Sequence, residues 1–201
     1  MKHFRFLCLI LCAFGILLPS SSQAFETGKL KIYHESGTCL YSSTPDTDIT
    51  SELAKIGVDF YQWEQQELPP SATNEEIFKA YQTQVDILKK RYPTVDVIRI
   101  LPDNPKKEEM RKKFLNEHTH TEDEVRFFVE GSGLFYFHVG DKVYIAHCDK
   151  GDFISVPQST KHWFDMGTEP TVTAIRFFER TEGWIPEFTH SDIANTFPKY
   201  N

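Results

Sequence analysis

His118, His120 and Glu124 fall within one short stretch, HTHTEDE, and His162 follows in SVPQSTKHWF. Three imidazoles and a carboxylate are nitrogen and oxygen donors of the kind that hold a divalent transition metal. Residues of one parity share a face of a β-strand. Positions 118, 120 and 124 share parity, and so does Arg126. The spacing therefore predicts one strand, bent by a bulge, that aims two His, one Glu and one Arg into a common interior. His162 lies too far along the chain for a local loop, so it must come from a second strand. A lone His in a strand is more often structural than ligating. His138 and His147 also lie in predicted strands and are left outside the set. Only the joint spacing with Glu124 lifts the other three.

This donor set suits Fe(II), Ni(II), Mn(II) or Co(II) in octahedral geometry, with two positions left for water or a chelating substrate. Structural zinc closes its shell at four ligands, often with Cys, and the motif holds no Cys. A site with open positions in an enclosed barrel points to chemistry. Arg126 sharpens that reading, because an unpaired buried cation is costly. The bland account of Arg126 is a salt bridge to an interior carboxylate. The favoured one is electrostatic binding of an anionic substrate by a guanidinium that stays protonated.

The elements that must position these residues change character at about residue 116. Before it, LKIYH, VDFYQW and VDVIRILP read as strands. Ile49, Leu53 and Ile56 fall at helical spacing, with Gly57 as a C-terminal cap. A longer helix is predicted from about Asn74 to Arg91, capped by Thr73 or Asn74, with Ile77, Tyr81, Val85 and Leu88 on its buried face. Pro105 can open a short charged helix whose inner face is Met110 and Phe114. After residue 116 come EVRFFVEG, GLFYFHVG, KVYIAH, DFISVP, HWFDM and TVTAIRFFE, separated by Gly- and Asp-rich turns. Val139-Gly140-Asp141-Lys142 is a hairpin signal. Short strands at close spacing suggest a β-sandwich or barrel.

The chain has 201 residues and 17 Phe, which suits one domain with a sizeable core. Its net charge is −7 and no Lys/Arg run exceeds three residues, which argues against nucleic acid as a partner. MKHFR, the apolar run Phe6 to Leu18 and Ser22-Gln23-Ala24 form the three parts of a secretory signal. The run is shorter than the about 18 residues of a membrane-spanning helix, so a retained anchor is the lesser reading. Residues 1–24 are thus expected to be removed, and residues 25–201 exported without stable membrane association. Cleavage takes away Lys2 and Arg5 and no acid, which makes the mature chain more acidic still. It also takes Cys8 and Cys12. Cys39 and Cys148 remain and are expected to be unpaired thiols. Within 25–201, residues 25–115 are expected to support a metal-binding barrel core at 116–186.

The spacing H-x-H-x3-E-x6-G, His118 to Gly131, resembles the first motif of the cupin superfamily. G-x5-P-x4-H, Gly151 through Pro157 to His162, resembles the second. Ser159 and Met166 stand where the second motif often has Gly and Asn, and Lys112 where the first often has Gly. The runs FLNEHTHTEDEVRFFVEGSGLFYFHVGD, ISVPQSTKHWFDMGTEP and TAIRFFERTEGWIPEF closely resemble the bacterial acireductone dioxygenase family. The likeness extends back through KAYQTQVDILKKRYPTVDVIRILPDNP. It implies a mainly β (α+β) cupin fold, a double-stranded β-helix or jelly-roll barrel with a few supporting N-terminal helices. It implies one Fe(2+) or Ni(2+) held by His118, His120, Glu124 and His162. Arg126 would favour the dianion of an acireductone that reacts with O2, in methionine salvage. The iron form would give a 2-oxo acid and formate, and the nickel form a shorter acid, formate and carbon monoxide. Glu117 and Asp123, at odd parity, would assist metal incorporation and conformational coupling. Phe164 and Trp184 would line the substrate pocket. A monomer in the cytosol is the family norm, which the leader contradicts. An exported dioxygenase for another enediol or diketone is therefore one alternative. A non-catalytic metal- or sugar-binding cupin is the other, although such a module could dispense with Arg126.

Overall fold

A computed structural model of the chain describes residues 28–182 and 184–200; the signal expected over 1–24 lies outside them. The first half supplies β1 (Leu30–His34), β2 (Cys39–Ser42), α1 (Thr50–Ala54), β3 (Asp59–Gln62), α2 (Asn74–Ala80), α3 (Gln82–Leu88), β4 (Thr94–Ile100) and α4 (Lys107–Phe114). The second half supplies β5 (His118–Thr119), β6 (Glu124–Glu130), β7 (Ser132–Val139), β8 (Lys142–Asp149), β9 (Asp152–Val156), β10 (Lys161–Asp165), β11 (Val172–Phe178) and β12 (Glu187–Phe188). Seven strands form one sheet in the order β12-β5-β10-β7-β8-β1-β2, and five form another in the order β3-β9-β6-β11-β4. All pairings are antiparallel. The fold is mainly β with few helices, the cupin type.

The inner faces of the two sheets share one apolar core. Phe135, Phe137 and Ala146 come from the larger sheet, and Phe128, Ile154 and Ala174 from the smaller. The outer face of the smaller sheet is covered by α2 and α3, which set Ile77, Tyr81 and Val85 against Val125, Phe127 and Phe177. The outer face of the larger sheet is covered by the C-terminal segment, with Ala194 and Phe197 on Trp163 and Ile145. Central strands are therefore buried on both sides. That is why EVRFFVE in β6 is buried along nearly its whole length rather than alternating.

Part of the segment 25–115, expected to support the barrel, is built into it. β1 pairs with β8, β3 with β9 and β4 with β11. The helix expected from 74 to about 91 is interrupted. Thr73 and Glu76 form a capping box at its start. Tyr81 then leaves helical geometry, at φ −110° and ψ 24°. Its ring is fully buried, 4.6 Å from that of Phe127, and its hydroxyl accepts a bond from the Gln66 amide. That anchorage bends the helix, so that both α2 and α3 lie on the sheet. Gly131 closes the first motif because nothing else fits there. Its φ is +74°, and a Cβ would come within 1.1 Å of the Thr171 carbonyl oxygen. Cys39 is exposed and Cys148 buried, and both are free thiols.

Candidate metal centre

His118 and His162 stand opposite each other where β5 pairs with β10, on the larger sheet. Glu124 opens β6, on the smaller one. The single bent strand expected to carry His118, His120, Glu124 and Arg126 is thus two strands, one in each sheet. The chain crosses between them at residues 120–123. Two buried carboxylates in this crossing explain why it leaves strand geometry. Glu122 accepts the amides of Glu179 and Arg180, at 2.8 and 3.1 Å. Asp123 accepts Arg91 Nη2 at 2.6 Å, the Tyr92 hydroxyl at 2.9 Å and the Gln158 amide at 3.0 Å. Bonds to three distant segments outweigh continuation of one strand.

The crossing still brings all four expected ligands together. One donor atom from each of His118, His120, Glu124 and His162 lies within 4.8 Å of all the others, and all four residues are buried. Each imidazole is oriented by a backbone carbonyl on Nδ1: Asn116 for His118 (2.7 Å), Ile185 for His120 (3.0 Å) and Thr160 for His162 (2.8 Å). With a metal bound, a proton held at Nδ1 would leave the lone pair on Nε2, the usual arrangement of a metal-ligating His. The Nε2 atoms of His120 and His162 converge on Glu124 Oε2, at 3.0 and 3.1 Å. Three neutral nitrogens and one anionic oxygen fit a divalent metal.

The electrostatics agree with that fit. Burial alone would push the Glu124 carboxyl up. Arg126 outweighs it, aided by hydrogen bonds from His120 and His162, and holds it well below the usual carboxylate range. His118 is pulled down to about 4, chiefly by burial and then by the neighbouring His162. For His120, burial acts downward, but its hydrogen bond to Glu124 prevails and the net direction is up.

Arg126 points inward, as its parity requires. Its Nη2 donates to Glu124 Oε1 at 2.7 Å, so the salt bridge is present. Its Nε is buried without a hydrogen-bond partner among the described residues. The guanidinium lies 5.1 Å from the Trp184 ring centroid, 5.2 Å from Phe164 and 5.5 Å from Phe135. Phe164 and Trp184 therefore line the cavity beside the ligands, and Trp184 is held by its Nε1–H donated to the Asp123 carbonyl at 3.0 Å. The cavity measures about 170 Å³ and suits a small chelator.

Glu117 and Asp123 stay outside the ligand set. Glu117 is buried and bonds His138 Nδ1 at 2.7 Å and the Thr189 hydroxyl at 2.8 Å. His138 is thereby a structural partner, and His147 lies next to Tyr200 and Asp149, outside the four-ligand cluster. Sequence reasoning missed Arg176, which lines the cavity directly across from Arg126 in the β11–β6 register. An Arg in the apolar run TAIRFF, at the parity of buried Ala174, was the signal for it. Lys113 and Phe114 also line the cavity, from the end of α4.

A two-sheet barrel with three imidazoles and a glutamate converging between its sheets defines a metal-dependent enzyme of the cupin type. Comparison with known proteins narrows that class. The chain belongs to the ARD/ARD′ family, whose profile matches residues 30–186. It is 51% identical over 177 residues to the acireductone dioxygenase of Xylella fastidiosa (strain 9a5c), covering 86% of this chain and 94% of that one. It is 51% identical over 175 residues to the acireductone dioxygenase of Aquifex aeolicus (strain VF5), covering 86% and 96%. A solved structure, acireductone dioxygenase from Bacillus anthracis with a cadmium ion in the active centre, is 32% identical. It superposes with a TM-score of 0.69 over 81% of this chain and 98% of its own. The chain is thus a metal-dependent dioxygenase.

Proposed function

We propose that this chain cleaves an acireductone, 1,2-dihydroxy-5-(methylthio)pent-1-en-3-one, with O2. The observation that carries the reading is Arg126, with a buried, unpartnered Nε, in the same small cavity as four converging metal donors. His118, His120, Glu124 and His162 would hold a divalent metal, which would supply Lewis acidity toward a chelating substrate. The protein's own residues do the rest. Arg126 stays protonated and offers Nε–H to a substrate oxyanion. Glu124 holds Arg126 in place through Oε1, and Oε2, which faces His120 and His162, would be left for a metal. Phe164 and Trp184 bury the reacting part of the substrate and exclude water. Glu117 and Asp123 act indirectly, by fixing the segments on either side of the ligands.

With iron the products are 4-methylthio-2-oxobutanoate and formate. With nickel they are 3-methylthiopropanoate, formate and carbon monoxide. Both metals use the same ligands, so availability decides between them. The leader favours export of residues 25–201, in which case another enediol or diketone is the second substrate reading; the family resemblance alone favours a monomer. No helix among the described residues is long and apolar enough to cross a membrane. The test is aerobic turnover of the authentic acireductone by residues 25–201, loaded separately with Fe(II) and Ni(II), with products and metal content measured together. Metal-dependent products support the proposal. A fully loaded protein that leaves the substrate intact sinks it.

A further inference from the structure

Three cations line the metal cavity: Arg126, Arg176 and Lys113. They differ in what already opposes their charge. Arg126 is paired with Glu124 at 2.7 Å. Arg176 is held by both oxygens of Asp96, at 2.9 and 2.6 Å. Lys113 is exposed at the rim and has no ion-pair partner among the described residues. Of the other cations on α4, Lys107 is paired with Glu169 and Arg111 with Asp165, and Lys112, also exposed, does not line the cavity. Phe114, the next residue, packs against the core and fixes the end of the helix beside the cavity. The chain as a whole carries −7, so its long-range field repels anions.

We propose that Lys113 is a specificity-determining residue: the unpaired cation at the mouth that draws small anionic chelators into the metal cavity in preference to neutral ones. The proposal rests on the anionic enediol substrate argued above. A bland role for Lys113 also exists, since a cation in the last turn of a helix complements its dipole. The two roles separate cleanly. The dipole role changes only stability, whereas the proposed role changes how tightly an anion reaches the metal.

The experiment uses the Co(II)-loaded protein, with azide as the probe anion and visible absorption as the readout, so no turnover is needed. K113E should weaken azide by about tenfold at low salt, because two charge units change close to the approach path. K113Q should fall between, and the difference should shrink as salt shortens the screening length. K112E is the control, because it makes the same change in net charge at an exposed neighbour that does not line the cavity. It should leave azide binding within about twofold. For acireductone, K113E should lower kcat/KM in the same salt-dependent way with kcat unchanged. Equal effects of K113E and K112E, or a K113E effect independent of salt, would overturn the proposal. Absence of acireductone turnover with the azide pattern intact would overturn the substrate argued above and support the role of Lys113.

Discussion

The two sheets meet at the metal centre with different chemistry. The larger one brings His118 and His162, each with Nδ1 locked on a carbonyl two residues away in its own chain segment. The smaller one brings Glu124, Arg126 and Arg176, which carry the formal charge that the two sheets contribute to the cavity lining. His120 sits in the crossing between them. Coordination geometry is thus largely a property of one sheet and charge a property of the other. A bound metal would tie the two together. Substitutions on the two sides should therefore fail in different ways.

The largest effect is expected on the charged side. Glu124→Gln removes a metal ligand and leaves the buried Arg126 without its counterion. Breaking a buried pair from one side costs about 3–5 kcal/mol. The variant should lose both metal and stability, and it should unfold at lower denaturant even when compared with metal-free native protein. His162→Ala, on the other sheet, should also lose metal and turnover. Its metal-free form, however, should lie closer to metal-free native protein than Glu124→Gln does. Chelation should lower the Tm of the loaded native protein, since a ligand bound only by the fold stabilises it, and should leave both variants unmoved. Denaturant midpoints and metal analysis on the same samples check this. Equal destabilisation of the two metal-free variants would remove the division between the sheets.

A middle-sized effect follows from the imidazoles. His118, pulled down to about 4, is already neutral at pH 7, whereas His120 is pushed up by Glu124 and must release its proton to bind metal. Apparent affinity for Ni(II) should therefore fall as pH drops through the His120 value, by about tenfold per pH unit for one displaced proton. The metal-free protein should show the opposite dependence from this group. A raised imidazole contributes stability that is complete below its unfolded value, about 6.5, and is lost as pH rises through the folded one. His118 contributes in the other sense, stability present above about 6.5 and lost as pH falls toward about 4. Titration calorimetry in two buffers of different ionisation enthalpy counts the protons. A count of zero near neutrality would contradict the coupling of His120 to Glu124.

What the chain discloses before folding follows the same division. The ligands and Arg126 were legible because their types and spacing are distinctive, although parity places only Glu124 and Arg126 on one face of one strand, β6. The crossing at 120–123 was not, because it depends on Glu122 and Asp123 finding Glu179, Arg180, Arg91 and Tyr92, which local pattern cannot register. The bend at Tyr81 has the same origin, a buried ring fixed by Phe127 and Gln66. Arg176 was legible in principle. It was passed over because β11, like β6, is buried on both faces, which hides alternation.

The smallest effect sits where the sheets are joined a second time. The turn from β9 to β10 passes from the smaller sheet to the larger, and Ser159 within it has φ +62°. This is the position at which the second cupin motif often carries Gly. The Ser159 amide donates to the His120 carbonyl at 2.9 Å, so the two crossings are bonded to each other. A left-handed conformation costs a non-glycine residue about 1–2 kcal/mol, while glycine gives back about 0.4–1 kcal/mol through the unfolded chain. Ser159→Gly should therefore be neutral to slightly stabilising and leave metal affinity unchanged. Ser159→Val is different, because a β-branched residue is a poor fit to positive φ. It should shift the turn, release the His120 carbonyl and weaken metal binding while the β10 ligand His162 stays in register with His118. Metal affinity measured by competition with a chelator distinguishes the pair. Equal affinity in both variants would mean that the crossings are independent, and that His120 is held by the Ile185 carbonyl alone.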